Sequence, residues 1–134
     1  MPQDPTAIVQ DVYAAFGRGD VPTLLRMLSP DVAWEVAGAK GDYPTFGAWN
    51  GRQGVLEFFK ALAEIEDITE FIPLSLHPAG ETVLVQGRAA LTLKSNGRAL
   101  AYDWLHVFQV HDGKVAAFRE FYDTATVVAA YRGV

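Results

Sequence analysis

The stretch HVFQVHDGKVAAFREFYD, residues 106–123, alternates apolar and polar side chains on both sides of Asp112-Gly113. That pattern predicts two antiparallel strands joined by a tight turn. Arg119 and Glu120 are neighbours in the second strand, so they point to opposite faces and one of them meets the interior. A charge buried there is costly unless it is paired or lost. Two registers are open. A two-residue turn at Asp112-Gly113 pairs 106 with 119 and brings Arg119 to the face of His106. A three-residue loop over 111–113, with Gly113 left-handed, pairs 110 with 114, 106 with 118 and 104 with 120, and brings Glu120 there instead. The second is favoured because it gathers Trp104, His106, Phe108, Phe118, Glu120 and Tyr122 on one face. Leu105, Val107 and Arg119 then share the other.

Upstream, Asn96-Gly97 between two long period-two runs is a strong hairpin signal. Two-residue pairing there sets Ala89 opposite Trp104 and Gly87 opposite His106. Small residues facing large ones leave space above the sheet, and space lined by aromatic rings, a His and a Glu describes a ligand pocket. Strands are expected over roughly 69–77, 82–95, 98–110 and 114–123. Before them come a helix over PTAIVQDVYAAFG, a short helix over VPTLLRML with Leu24, Leu25 and Leu28 together, and a strand over VAWEVAG. The loop GDYPTFGAWNG and the amphipathic helix RQGVLEFFKALAEI follow, the latter burying Val55, Phe58, Phe59 and Leu62. TATVVAAYR closes the chain as a helix, with Asp123 as its N-cap and Thr124 as the other candidate. Helices first and an antiparallel meander second make the fold class α+β, one curved sheet wrapped around helices.

The 134 residues are expected to form one domain, 1–134, and half of them are apolar. With 16 acidic against 11 basic residues the net charge is −5, which argues against nucleic acid as a partner. No run approaches the roughly 18 apolar residues of a membrane helix. The opening MPQDPTAIVQ does not read as a signal peptide, so the expectation is a cytoplasmic protein with no membrane partner. There is no cysteine, and the three His residues are scattered without ligand spacing, so neither thiolate chemistry nor a metal site is expected.

With these segments in view, the chain resembles the SnoaL-like branch of the ketosteroid-isomerase and nuclear-transport-factor-like superfamily. The two N-terminal helices ending in GRGD, the SPDVAW entry to the first strand, the helix start NGRQGVLEFF and the close HVFQVHDGKVAAFREFYD carry the resemblance, which implies a cone-shaped α+β barrel with N-terminal helices packed into a curved, mixed, mostly antiparallel sheet. In polyketide-cyclising members an acidic residue on the final strand acts as acid and base beside a His on the preceding strand. The matching positions are Glu120 and His106, the pair that the register argument had united. Where ketosteroid isomerases carry their two catalytic acidic residues, this chain has Val36 and His106, which argues against steroid isomerisation.

The expected catalytic groups are therefore Glu120, as general acid and base, and His106, as its partner and oxyanion donor, with no cofactor. A buried His–Glu pair that merely ties two strands is the structural alternative. Trp34, Val36, Trp49, Phe59, Gly87, Tyr102, Trp104, Phe108, Phe118 and Tyr122 are expected to line the pocket for an apolar carbonyl compound. Tyr43, Phe46 and Trp49 form either a lid or simply the packing of their loop, and Tyr13 is either a second acid or a helix residue facing water. The outward face, with Leu105, Val107, Ala117, Phe121 and Leu84 or Leu93, is apolar enough to predict a homodimer through the sheet. The rival to an isomerase, cyclase or dehydratase is a non-catalytic ligand-binding or dimerisation module.

Overall fold

Asp4 accepts the Thr6 N–H at 3.1 Å and Pro5 occupies the first turn, so α1 (Pro5–Gly17) starts where capping chemistry directs. In this computed structural model, which describes residues 4–134, α1 buries Ile8, Val9, Val12 and Ala15. Asp20 caps α2 (Val21–Arg26) in the same way, accepting from Thr23 N–H at 3.2 Å. The second helix is shorter than expected, because Leu28 already belongs to β1 (Leu28–Val36). Ser29-Pro30 lies inside that strand, where pairing is irregular between Leu28 and Ala33 and an absent N–H is tolerated. Arg52 holds the start of the strand by donating Nε and Nη2 to the Leu28 carbonyl at 3.0 and 2.7 Å.

After β1 come β2 (Gly47–Ala48), α3 (Gly51–Ile65), β3 (Glu66–Ala79), β4 (Thr82–Leu93), β5 (Ala99–His111), β6 (Lys114–Tyr122) and α4 (Thr124–Arg132). The strands form one sheet in the order β2-β1-β6-β5-β4-β3, with β1 parallel to β6 and the remaining neighbours antiparallel. The molecule is an α+β cone of helices against a mixed, mostly antiparallel sheet. The sheet is not closed, since β2 and β3 are its two edges.

The deciding turn differs from the favoured register, and the reason is a bulge. His111 pairs with Lys114, so Asp112-Gly113 is a two-residue turn, and both of its residues have positive φ, 50° and 77°. Such a turn alone would bring Arg119 to His106. Between Gln109 and Val110 the register slips: Val110 pairs with Val115 but Gln109 with Ala117, leaving Ala116 unopposed. The slip restores the face, and His106 pairs directly with Glu120, Trp104 with Tyr122 and Phe108 with Phe118. Arg119 points outward, ion-paired to Glu35 and stacked over the Phe121 ring at 4.9 Å.

The other hairpin is a correction too. Thr92 pairs with Ala99, so residues 94–97 form a four-residue loop, and the pairing runs Gly87 with Trp104, Val85 with His106 and Ala89 with Tyr102. Asn96 serves the loop rather than a two-residue turn: its Nδ2 donates to Ala130 O at 2.8 Å and its Oδ1 accepts from Arg98 N–H at 3.1 Å. The shift is by two residues, so the faces are unchanged. Leu93 is fully buried and faces inward, which removes it from the outer face.

Candidate active site

His106 sits in the middle of β5 with 4% of its side chain exposed, and both ring nitrogens are engaged. Nε2 lies 2.7 Å from Glu120 Oε2, across the direct β5–β6 pair. Nδ1 lies 2.7 Å from the Tyr13 hydroxyl, which reaches in from α1. With Glu120 ionised and the imidazole neutral, the protons have one consistent arrangement: Nε2–H donates to Glu120 and Tyr13 O–H donates to Nδ1. Burial, and next the charge of Glu120, push the Tyr13 hydroxyl well above the usual phenol range, so it keeps its proton and acts as a donor. The rings hold this chain in place: Trp104 stacks on His106 at 3.9 Å, and the rings of Tyr13 and His106 are 5.9 Å apart and nearly parallel.

The chain opens onto a cavity of about 60 Å³, room for a few water molecules. Glu120, His106, Trp34, Phe59, Tyr102, Phe108, Phe118 and Tyr122 line it. Four expected lining residues do not. Val36 is buried beside the sheet in the core, with its strand partner Glu120 reaching the cavity instead. Gly87 offers no space, because the Trp104 ring lies so close that a Cβ on Gly87 would come within 2.1 Å of it. The two residues fill each other's volume, which takes Trp104 out of the wall as well. Trp49 turns aside, its indole N–H donating to Thr45 O at 3.0 Å and its ring against Phe58. Tyr43 and Phe46 are 1% and 5% exposed, so they belong to the packed interior and form no open lid.

The sequence reading missed a second carboxyl. Glu66 opens β3 at the end of α3, is 7% exposed and lines the same cavity. Tyr43 O–H donates to its Oε2 at 2.6 Å. Burial raises the Glu66 carboxyl from 4.5 to about 7, the Tyr43 bond opposing and the charge of Glu120 adding to the rise. Burial likewise lifts Tyr43, Tyr102 and Tyr122, whose rings crowd the two carboxyls. Tyr43 was readable only as a loop aromatic, and Glu66 fell between a helix ending at Ile65 and a strand expected from Thr69. Among the described residues, no three His, Asp or Glu side chains converge as a metal site requires.

A family model described as the SnoaL-like domain matches residues 9–118. An NTF2-like protein from Burkholderia xenovorans is 32% identical, with 97% of each chain covered and a TM-score of 0.86. Another from Burkholderia thailandensis is 30% identical, covering 96% of this chain and 98% of its own, with a TM-score of 0.87. A candidate SnoaL-like polyketide cyclase from Mesorhizobium loti shares the fold at 16% identity, a TM-score of 0.76 and coverage of 90% and 100%. Among curated proteins, none matches the sequence. With most of its length inside the family model and relatives superposing along nearly the whole chain, this protein belongs to the SnoaL-like family within the NTF2-like fold.

Proposed function

We propose that this protein is a cofactor-independent acid–base enzyme acting on a small, mostly apolar carbonyl compound. The observation that carries the reading is the hydrogen-bonded chain Tyr13–His106–Glu120 facing an apolar cavity. Glu120 Oε2 is taken by His106, so Oε1 is the oxygen that removes a proton from the carbon beside the carbonyl. The electron pair of that C–H bond becomes the C=C bond of an enolate while the carbonyl π pair moves to oxygen, and Glu120, now protonated, returns the proton to the same or a conjugated carbon as the carbonyl re-forms. Because both His106 nitrogens are already bonded within the protein, the oxyanion donor is the Tyr13 hydroxyl, turned from Nδ1 to the ligand. His106 orients Glu120 through the Nε2–H donated to its Oε2. Phe16 and Phe59, 5.9 Å apart and half-buried between α1 and α3, part to admit a ring-sized ligand.

The same saturation of His106 favours a second reading, a ligand-binding module in which the chain only ties α1 to the sheet. Acetophenone separates the two. In D2O buffer the protein should speed deuterium entry into its methyl group, followed by NMR. Glu120→Gln should cut that rate by about 10²-fold or more while acetophenone still binds. Equal exchange in the wild type and the variant would sink the enzyme reading.

A further inference from the structure

The Tyr13–His106–Glu120 chain accounts for one set of polar atoms in the cavity and leaves others unexplained, the Glu66 carboxyl and the Trp34 indole among them. Glu66 lines the cavity with Tyr43 on Oε2, and its Oε1 has no hydrogen-bond partner among the described residues. Tyr43 alone does not call for a carboxylate, since a neutral acceptor would serve it without the cost of a buried charge. Trp34, 3% exposed and also in the lining, has an indole N–H with no partner. Buried donors left unpaired are rare and costly, and they persist where a ligand or water completes them. The lining holds two carboxyl groups and no Lys or Arg, so an anionic ligand would meet like charge with no counter-ion.

We propose that Glu66, held by Tyr43, anchors a ligand hydroxyl through Oε1 while the Trp34 N–H donates to a ligand oxygen, so the cavity selects neutral hydroxylated carbonyl compounds. The inference rests on the reading of the Tyr13–His106–Glu120 chain as the carbonyl end. A hydroxyl both donates and accepts, and a carboxyl titrating near neutrality can answer it in either protonation state. Both carboxyls line the cavity together with aromatic rings, Trp34 and Phe118 stacked at 3.9 Å among them.

Calorimetric titration at pH 7 with acetophenone, 4-hydroxyacetophenone and 4-acetylbenzoate tests this. The hydroxyl should tighten binding about tenfold, the effect of one charge-assisted hydrogen bond, and the carboxylate should weaken it below acetophenone. In Tyr43→Phe/Glu66→Leu, which replaces both partners by apolar groups of similar shape, the hydroxyl's advantage should vanish. Glu66→Gln, which keeps an acceptor for Tyr43, should reduce the same ratio severalfold and supplies the reading should the double variant not fold. Acetophenone binding with no gain from the hydroxyl, a gain that survives both variants, or carboxylate binding as tight as hydroxyl binding would each overturn the inference and leave the carbonyl end standing. Failure of all three probes to bind would overturn both.

Discussion

At the scale of single residues, the cavity sets two carboxyls different tasks. Glu120 is tied to an imidazole at 2.7 Å, whereas Glu66 receives only a phenol and is raised to about 7 by burial. A carboxyl with a folded value above its unfolded 4.5 binds its proton more tightly in the fold, so its full stability is present below about 4.5 and is lost as pH rises through about 7. The loss is on the order of 3 kcal/mol. Glu66→Gln is neutral throughout and keeps the acceptor for Tyr43. Its thermal midpoint should equal the wild type's near pH 4 and exceed it by several degrees at pH 8. A difference that is the same at both pH values would show that Glu66 is not ionising against burial. His106 and Glu120 were legible because a strand's period is two and aromatic neighbours marked the inner face. Glu66 was not, since its direction depends on the residue at which α3 stops and β3 starts.

At the scale of elements, the β5–β6 hairpin carries the site. Its turn needs two positive φ angles, Asp112 at 50° and Gly113 at 77°, and only glycine adopts the second without strain. Gly113→Val should therefore cost about 1–2 kcal/mol or more, while Asp112→Asn, a residue at ease in that region, should be mild. Chemical denaturation of the two variants checks this, and a Gly113→Val protein as stable as the wild type would contradict the turn. The bulge at Ala116 has the larger consequence. Without it the two-residue turn would place Arg119 against His106, and the hydrogen-bonded chain Tyr13–His106–Glu120 would not exist. No residue type marks such a bulge. It arises because burying Phe118 and Glu120 with their aromatic neighbours outweighs one irregular pair in the ladder.

For the whole molecule, the outer face of the sheet is the open account. Leu84, Leu105, Val107, Ala117 and Phe121 lie there half-buried, and Leu74 is 62% exposed. The last helix does not serve as their cover: Tyr131 packs on Tyr43, Arg132 reaches Asp42 and Ala130 O accepts from Asn96, so α4 sits over the 42–46 loop. A second copy of the chain is the expected cover. Sedimentation at tens of micromolar should give a dimer, and Leu105→Glu should dissociate it. A wild-type monomer at that concentration would remove the proposal.

Period-two and helical patterns, caps and turn residues were enough to specify an α+β chain and which residues of β5 and β6 share the aromatic face, whereas the direct pairing of His106 with Glu120 came through the bulge. The first two are local matters: each follows from which side chains alternate and which groups need a cap. Tertiary structure alone decided that Trp104 fills the space over Gly87, that Tyr13 rather than water meets Nδ1, and that Glu66 and Tyr43 share the cavity. Those outcomes depend on how α1, α3 and the 42–46 loop pack into the sheet, and packing is a competition for shared volume that residues distant in the chain settle together.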